Sequence, residues 1–293
     1  MGAFGREGAG PGEFRDPAVV ERGPDETVAV VDVELARLTL FEPSGTYISD
    51  TTIPAAFTGH KLSGGRLFGV DFSTSYESRR TGGPIDAGIA EVDVVSGEVV
   101  WKRSGIGNMV ETECGAVGMG WPRPGGGYVF WACDRELVFL DDRDALTARV
   151  VAAPTYFEEL PSERDVDAYR NSFASLGRTM PIPTATAESY VARFRERPKR
   201  WLLVGGESSG SPFGFDNQDR LWVATTRDRD AFSYFDVWIG TDYAGTVRIR
   251  DRLLGFDVLG STLVALVERR PGRDGIAPRA IDWYRIDGVK LGS

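Results

Sequence analysis

The sequence predicts an all-β fold, a β-propeller of four-stranded blades, and three observations point to it. Short apolar strands recur in one fixed order, tight turns recur at the same place in each repeat, and a single helical stretch interrupts the series. Each repeat reads as a short inner strand, a tight turn, an apolar strand, an excursion, a third strand, a turn and a last strand. A β-sandwich rich in hairpins would not explain five repeats of one turn order.

The repeats align on their second strands: Thr27–Val31, Arg66–Val70, Tyr128–Ala132, Arg220–Ala224 and Thr262–Val267. Each follows a tight turn and is rich in aliphatic, aromatic or β-branched residues, which suit a pleated, half-buried surface. Third strands are expected at Ala36–Phe41, Ala87–Val94, Glu136–Leu140, Tyr234–Ile239 and Ala280–Arg285. Turns at Gly45, Gly97, Asp142 to Asp144, Gly245 and Gly288 lead into fourth strands at Thr46–Ser49, Glu98–Lys102, Ala148–Val151, Thr246–Arg250 and a C-terminal stub. The whole chain, 1–293, reads as one propeller domain.

The stretch 155–200 differs in kind. Ser162-x-x-Asp165 has the form of a capping box with a shortened acid. Val166, Tyr169, Phe173 and Leu176 follow at helical spacing. A second helix is predicted from about Thr186, with Tyr190, Val191 and Phe194 on one face and Pro198 as its stop. The expectation is a two-helix insertion over the long-loop face or outer rim, with Tyr169, Phe173, Tyr190 and Phe194 substantially buried.

The opening stretch GREGAGPGEFRDP, Gly5 to Pro17, cannot be a central strand or a helix. Gly8, Gly10 and Gly12 allow positive φ and close backbone approach, and Pro11 and Pro17 fix φ and donate no hydrogen bond. Its spacing, carried by Gly8, Gly10, Gly12, Phe14 and Pro17, resembles the linker between blades of NHL-repeat and related six-bladed, TolB-like propellers. TVAVVD, ARLTLF and PSGTYISD then resemble the remaining strands of such a blade, over residues 5–50. The resemblance implies six blades and a bacterial-type, extracytoplasmic or periplasmic location. Only five blade-like units are legible, with Trp201–Val204 as one extra strand. The linker normally follows a blade, and only four residues precede it. The expectation is therefore a chain that has lost its first blade, or a ring of five. In the first case exposed faces would favour self-association, with residues 1–14 near Lys290–Ser293.

Composition excludes several function classes. The net charge is −9, against the basic surface that nucleic-acid binding requires. No apolar run is long enough for a transmembrane helix, and no signal-peptide pattern is present. His60 is the one histidine. A Ser-His-Asp triad could run only through it, no G-x-S-x-G elbow exists, and it reads as a strand-end residue. Two Cys and one His match no zinc pattern. Gly205 to Gly210 is Gly-rich but lacks the lysine of a phosphate-binding loop. No cofactor is expected; calcium stays open, since oxygen ligands suffice for it.

Cys114 and Cys133 flank the turn at Arg123 to Gly126. In a regular hairpin, residues with equal number sums face each other, so these two would be opposite and within disulfide reach. Two buried thiols are the other reading, and a bulge would break the register.

Alternating strand directions place the first-to-second and third-to-fourth turns on one face and the remaining connections on the other. Every long excursion falls in the second set, where a rigid scaffold would present a binding site. That face carries Tyr76, Arg79, Arg80, Arg227, Arg229, Arg269 and Arg270. Such arginines can grip carboxylates or phosphates with two parallel hydrogen bonds. Glu111 and Glu113 precede an inner strand and could face the channel. Asp216, Asn217 and Asp257 fall toward the trimmed end, as turn residues would. The reading is a non-catalytic propeller that binds a protein, peptide or glycan through its long-loop face. The alternative is a calcium-dependent hydrolase or lactonase-like enzyme with its site in the central channel.

Overall fold

The computed structural model describes residues 5–55, 57–63, 65–71, 88–103, 117–124, 126–132, 136–140, 148–152, 160–176, 184–196, 213–225, 232–273 and 275–289. The chain divides into two compact units, Met1–Val151 and Ala152–Ser293. The fold is all-β, with antiparallel blade sheets of the propeller kind and a two-helix insertion.

Ahead of the blades, β1 (Arg6–Glu7) pairs in parallel with β2 (Glu13–Phe14). The first blade is β3 (Pro17–Arg22), β4 (Val28–Asp32), β5 (Arg37–Phe41) and β6 (Tyr47–Thr52). The second is β7 (Phe57–Ser63), β8 (Arg66–Asp71), β9 (Gly88–Asp93) and β10 (Val99–Arg103). The third is β11 (Val117–Pro122), β12 (Tyr128–Ala132), β13 (Glu136–Leu140) and β14 (Ala148–Ala152). After helices α1 (Glu163–Leu176) and α2 (Thr184–Arg195) comes the fourth, β15 (Phe213–Phe215), β16 (Arg220–Thr225), β17 (Phe232–Ile239) and β18 (Asp242–Arg250). The fifth is β19 (Arg252–Leu259), β20 (Thr262–Glu268) and β21 (Arg279–Arg285). Among the described residues there are thus five blades and not six, the fifth with three strands. Lys290–Ser293 and Trp201–Val204 lie outside the described residues.

The cores lie where neighbouring sheets face each other. Ala29, Val31, Leu38 and Leu40 of the first blade pack with Phe57, Leu62, Leu67, Ala90 and Val92 of the second. Ile89 and Phe68 of the second pack with Tyr128, Phe130, Val138 and Leu140 of the third. Trp222, Phe235, Val237 and Ile249 of the fourth pack with Leu253, Leu263, Ala265 and Val267 of the fifth. Most of these are alternate positions of the two central strands of each blade, so the two-residue period of the sequence builds the packing directly.

One turn differs from expectation. The β17–β18 hairpin turns at Gly240, with φ +60°, and β18 starts at Asp242. Gly245 instead sits where the ladder shifts between Val237 and Trp238. Glycine marks bulges as well as turns, and here the bulge took it.

The opening stretch packs on the first blade. Gly12 has φ +69°, and a Cβ there would meet the rings of Tyr47 and Phe41 at 3.3 and 3.5 Å. Phe14 lies against Phe41 with ring centres 5.8 Å apart. Gly10, by contrast, does not adopt a positive φ. Its amide donates to Glu13 Oε2 at 2.8 Å. That bond, and then the Arg6 guanidinium, hold the Glu13 carboxyl below its usual range. Asp32, fully buried, accepts from the amides of Arg15 at 2.6 Å, Asp16 at 3.1 Å and Leu35 at 2.9 Å.

The same logic operates at the β9–β10 turn. The amides of Ser96 and Val95 donate to Asp93 Oδ1 at 3.0 and 3.1 Å and hold its carboxyl below its usual range. A carboxyl depressed by folding contributes stability above its unfolded pKa and loses it as pH falls through the folded value. Urea midpoints of the N-terminal unit should therefore fall with pH below about 4, near the ordinary carboxyl range. Asp93→Asn should lower the neutral midpoint and flatten this slope. A slope unchanged in that variant would contradict the assignment.

In the insertion, Ser162 and Asp165 form the predicted cap: Asp165 Oδ2 accepts from the Ser162 amide at 2.8 Å and hydroxyl at 2.7 Å. Val166 and Val191 are buried, and Tyr169 stacks on Phe194 at 4.3 Å. Tyr169 and Phe194 are half-buried. Tyr190 departs from expectation: it is 41% exposed, with the Arg193 guanidinium 4.8 Å from its ring centre. The buried seam of α2 runs through Val191, and its neighbour Tyr190 turns about 100° away, as 3.6 residues per turn dictate. The side chain of Phe173 lies outside what the structure describes.

Candidate ligand-binding face

Within each antiparallel sheet the second-to-third loop lies at the end opposite the first-to-second and third-to-fourth turns. In the second, fourth and fifth blades the longest loop is the second-to-third one, at that end. Tyr76, Arg79, Arg80, Glu111, Glu113, Arg227 and Arg229 lie outside the described residues, as do Cys114 and Cys133. The β11–β12 ladder pairs Val117 with Ala132 and shifts register before Gly120 and Phe130. That is the kind of bulge that breaks an equal-sum pairing.

Arg269 and Arg270 are described, and they divide in role. They open the β20–β21 loop, itself a hydrogen-bonded hairpin extension. The Arg269 amide donates to the Pro278 carbonyl at 2.8 Å, and the Gly272 amide to Ile276 at 3.0 Å. The Arg269 guanidinium donates to Asp251 and, at 2.7 Å, to Asp282. These hydrogen bonds, Asp251 first, raise its already high pKa. Tyr284 donates to the same Asp282 at 3.0 Å, and burial followed by that carboxylate raises the tyrosine pKa. Arg269 is thus a strut for the loop. Arg270, next along the chain, is exposed, as is Arg273.

Glu268, at the end of β20, gathers two more arginines: Arg252 at 3.3 Å and Arg164 of α1 at 2.5 Å. The capped start of α1 is thereby pinned to the loop end of the fifth blade. This places the start of the insertion at that end.

A second cluster was not anticipated from the sequence. Glu21 of β3, Lys61 of β7 and Trp121 of β11 occupy similar positions on three consecutive inner strands. Lys61 Nζ lies 2.8 Å from Glu21 and 5.7 Å from the Trp121 ring centre. The one available signal was the recurrence of long polar or aromatic side chains near the ends of successive first strands. Nearby, buried Glu91 accepts from the Tyr128 hydroxyl, and Trp101 stacks on Tyr128 at 5.3 Å. These contacts fasten neighbouring blades.

Asp216 is a turn residue, as its position implied: the amides of Gln218 and Arg220 donate to its Oδ1 at 2.9 and 3.0 Å. Asp257 is exposed on β19, and its Oδ1 accepts from the Val258 amide at 2.8 Å. His60 stands inside β7, at the register shift between Gly59 and Lys61, and not at a strand end. Among the described residues, no three His, Cys, Asp or Glu side chains gather at metal-holding distance. No helix there is long and apolar enough to cross a membrane.

No protein-family model and no curated protein matches the chain. Similarity to solved structures is distant. A member of the DUF4221 family from Bacteroides vulgatus is 10% identical, with TM-score 0.48, over 94% of this chain and 80% of that one. The β-propeller domain of Cps50 (Swd1) from Myceliophteria thermophila is 8% identical, with TM-score 0.42, over 93% and 73%. Virginiamycin B lyase from Staphylococcus aureus is 12% identical, with TM-score 0.38, over 93% and 85%.

Proposed function

We propose that this chain is a non-catalytic β-propeller that binds a protein, peptide or glycan through the blade end carrying its long loops. The observation that supports this reading is the division between Arg269 and Arg270. Two aspartates and a tyrosine hold the loop in place, and an exposed guanidinium stands beside that strut. A preorganised loop loses little entropy on binding, so an arginine on it can grip a carboxylate, sulfate or phosphate group efficiently. The family resemblance adds an extracytoplasmic location to the proposal.

Peptide and glycan arrays probed with the whole chain test it. Anionic ligands should be retained, and Arg270→Glu combined with Arg273→Glu should weaken them at least tenfold while leaving the melting temperature unchanged. Arrays without a retained ligand, or ligands indifferent to both charge reversals, would contradict the proposal. Millimolar calcium should leave the melting temperature unchanged; a saturable rise would instead favour metal-dependent chemistry.

A further inference from the structure

The fifth blade is the one sheet of its kind with three described strands, β19, β20 and β21, where each other blade has four. Its last strand, β21, alternates strictly between exposed and half-buried residues. Ala280 and Tyr284 point to the core shared with the fourth blade. Arg279, Ile281, Trp283 and Arg285 point the other way. Ile281 is 61% and Trp283 66% exposed, and Leu266, directly opposite Ile281 on β20, is 39% exposed. Among the described residues β21 pairs with β20 alone, and a strand with one partner directs half of its backbone donors and acceptors away from it. A seven-residue edge with an isoleucine and a tryptophan beside it is a template for another strand; it has no proline or bulge, its inward Asp282 is engaged by Arg269, and its outward charges are the two flanking arginines.

We infer that β21 is a strand-addition site for an extended peptide segment with acidic residues flanking two alternate apolar ones. The charge pattern selects this occupant. On the exposed face the order is Arg279, Ile281, Trp283, Arg285, at intervals of two residues. An added strand presents its own alternate side chains beside them, so acid, apolar, apolar, acid is the complement. The order is symmetric, and both strand directions satisfy it. Arg279 is exposed, and Arg285 is tied only at the surface, to Asp287 at 2.8 Å. A second copy of β21 is a poor occupant. Antiparallel pairing centred on Asp282 would set Asp282 against its own copy and Arg279 against Arg285, and directly opposed like charges destabilise a ladder. This site is on the sheet edge and does not rest on the loop-face reading.

The test uses the whole chain and a labelled, end-capped heptapeptide with Glu at positions 1 and 7, Val at 3 and 5 and Thr between. Fluorescence anisotropy should show saturable binding, at least tenfold tighter than for the same peptide with Lys in place of Glu. Arg279→Glu with Arg285→Glu should reverse that preference. N-methylation of alternate peptide amides should abolish binding, because a strand added by charge alone would not need them. Three results would overturn the inference: no saturation with the folded protein, equal binding of the N-methylated peptide, or a dimer in sedimentation velocity that Trp283→Lys dissolves. Circular dichroism of each variant confirms that the sheet is intact.

Discussion

Asp216→Ala should destabilise the C-terminal unit by about 3–5 kcal/mol, the usual consequence of removing one partner of a buried ion pair. Asp216 is 4% and Arg220 6% exposed. The carboxylate accepts from Arg220 Nε at 2.6 Å and from the Trp222 indole at 2.9 Å, besides two backbone amides. Arg220 in turn donates to the Ile286 carbonyl of the fifth blade at 2.7 Å. One carboxylate therefore closes the β15–β16 turn and orients the arginine that ties two blades together. Alanine leaves that guanidinium buried without its charge partner, along with an indole N–H. Asp216→Asn keeps an acceptor but not the charge and should fall between the two. Urea unfolding followed by tryptophan fluorescence reads the effect, since Trp222 lies at its centre. A loss under about 1 kcal/mol would mean that the pair is solvated, as surface pairs are.

Asp32→Ala should cost the N-terminal unit about 3 kcal/mol, because three amides lose a charged acceptor at a fully buried position. The consequence extends beyond stability. Arg15 and Asp16 are where the glycine-rich opening stretch joins the blade. Arg37, on the next strand, reaches the carbonyls of Ala9, at 3.1 Å, and Glu13. With Asp32 gone, the stretch keeps Arg37, Phe14 on Phe41, the Arg15–Glu34 ion pair at 3.2 Å and the Val33 amide on the Asp16 carbonyl at 3.1 Å, but the junction at Arg15 loses its buried charged anchor. Trypsin should then cut at Arg15 well before the blades unfold. Equal proteolysis rates for wild type and variant would show that the stretch is anchored elsewhere.

The strands were legible because their neighbours in space are also their neighbours in sequence. VAVVD and RLTLF pair as β4 and β5 across four intervening residues, and both central strands of the third blade fall where the apolar runs put them. The cap at Ser162 was legible for the same reason: its partner, Asp165, is three residues away. What could not be read lies between repeats. Lys61 meets Glu21 across 40 residues of sequence, and Arg164 meets Glu268 across 104. No periodicity encodes such pairs, because each depends on how one sheet is placed against the next. Arg269 shows the limit for the candidate site. The sequence offered it and Arg270 as equivalent arginines, and only the positions of Asp251 and Asp282 assign one to the scaffold.

Amide hydrogen exchange on the whole chain reads the scaffold of repeated antiparallel blades strand by strand. Strands paired on both sides open only with the sheet, so they exchange slowest. Five separate protected blocks are expected, at β4–β5, β8–β9, β12–β13, β16–β17 and β20, with β21 protected at alternate amides only. A different number of protected blocks, or β21 protected throughout in the isolated protein, would contradict that scaffold.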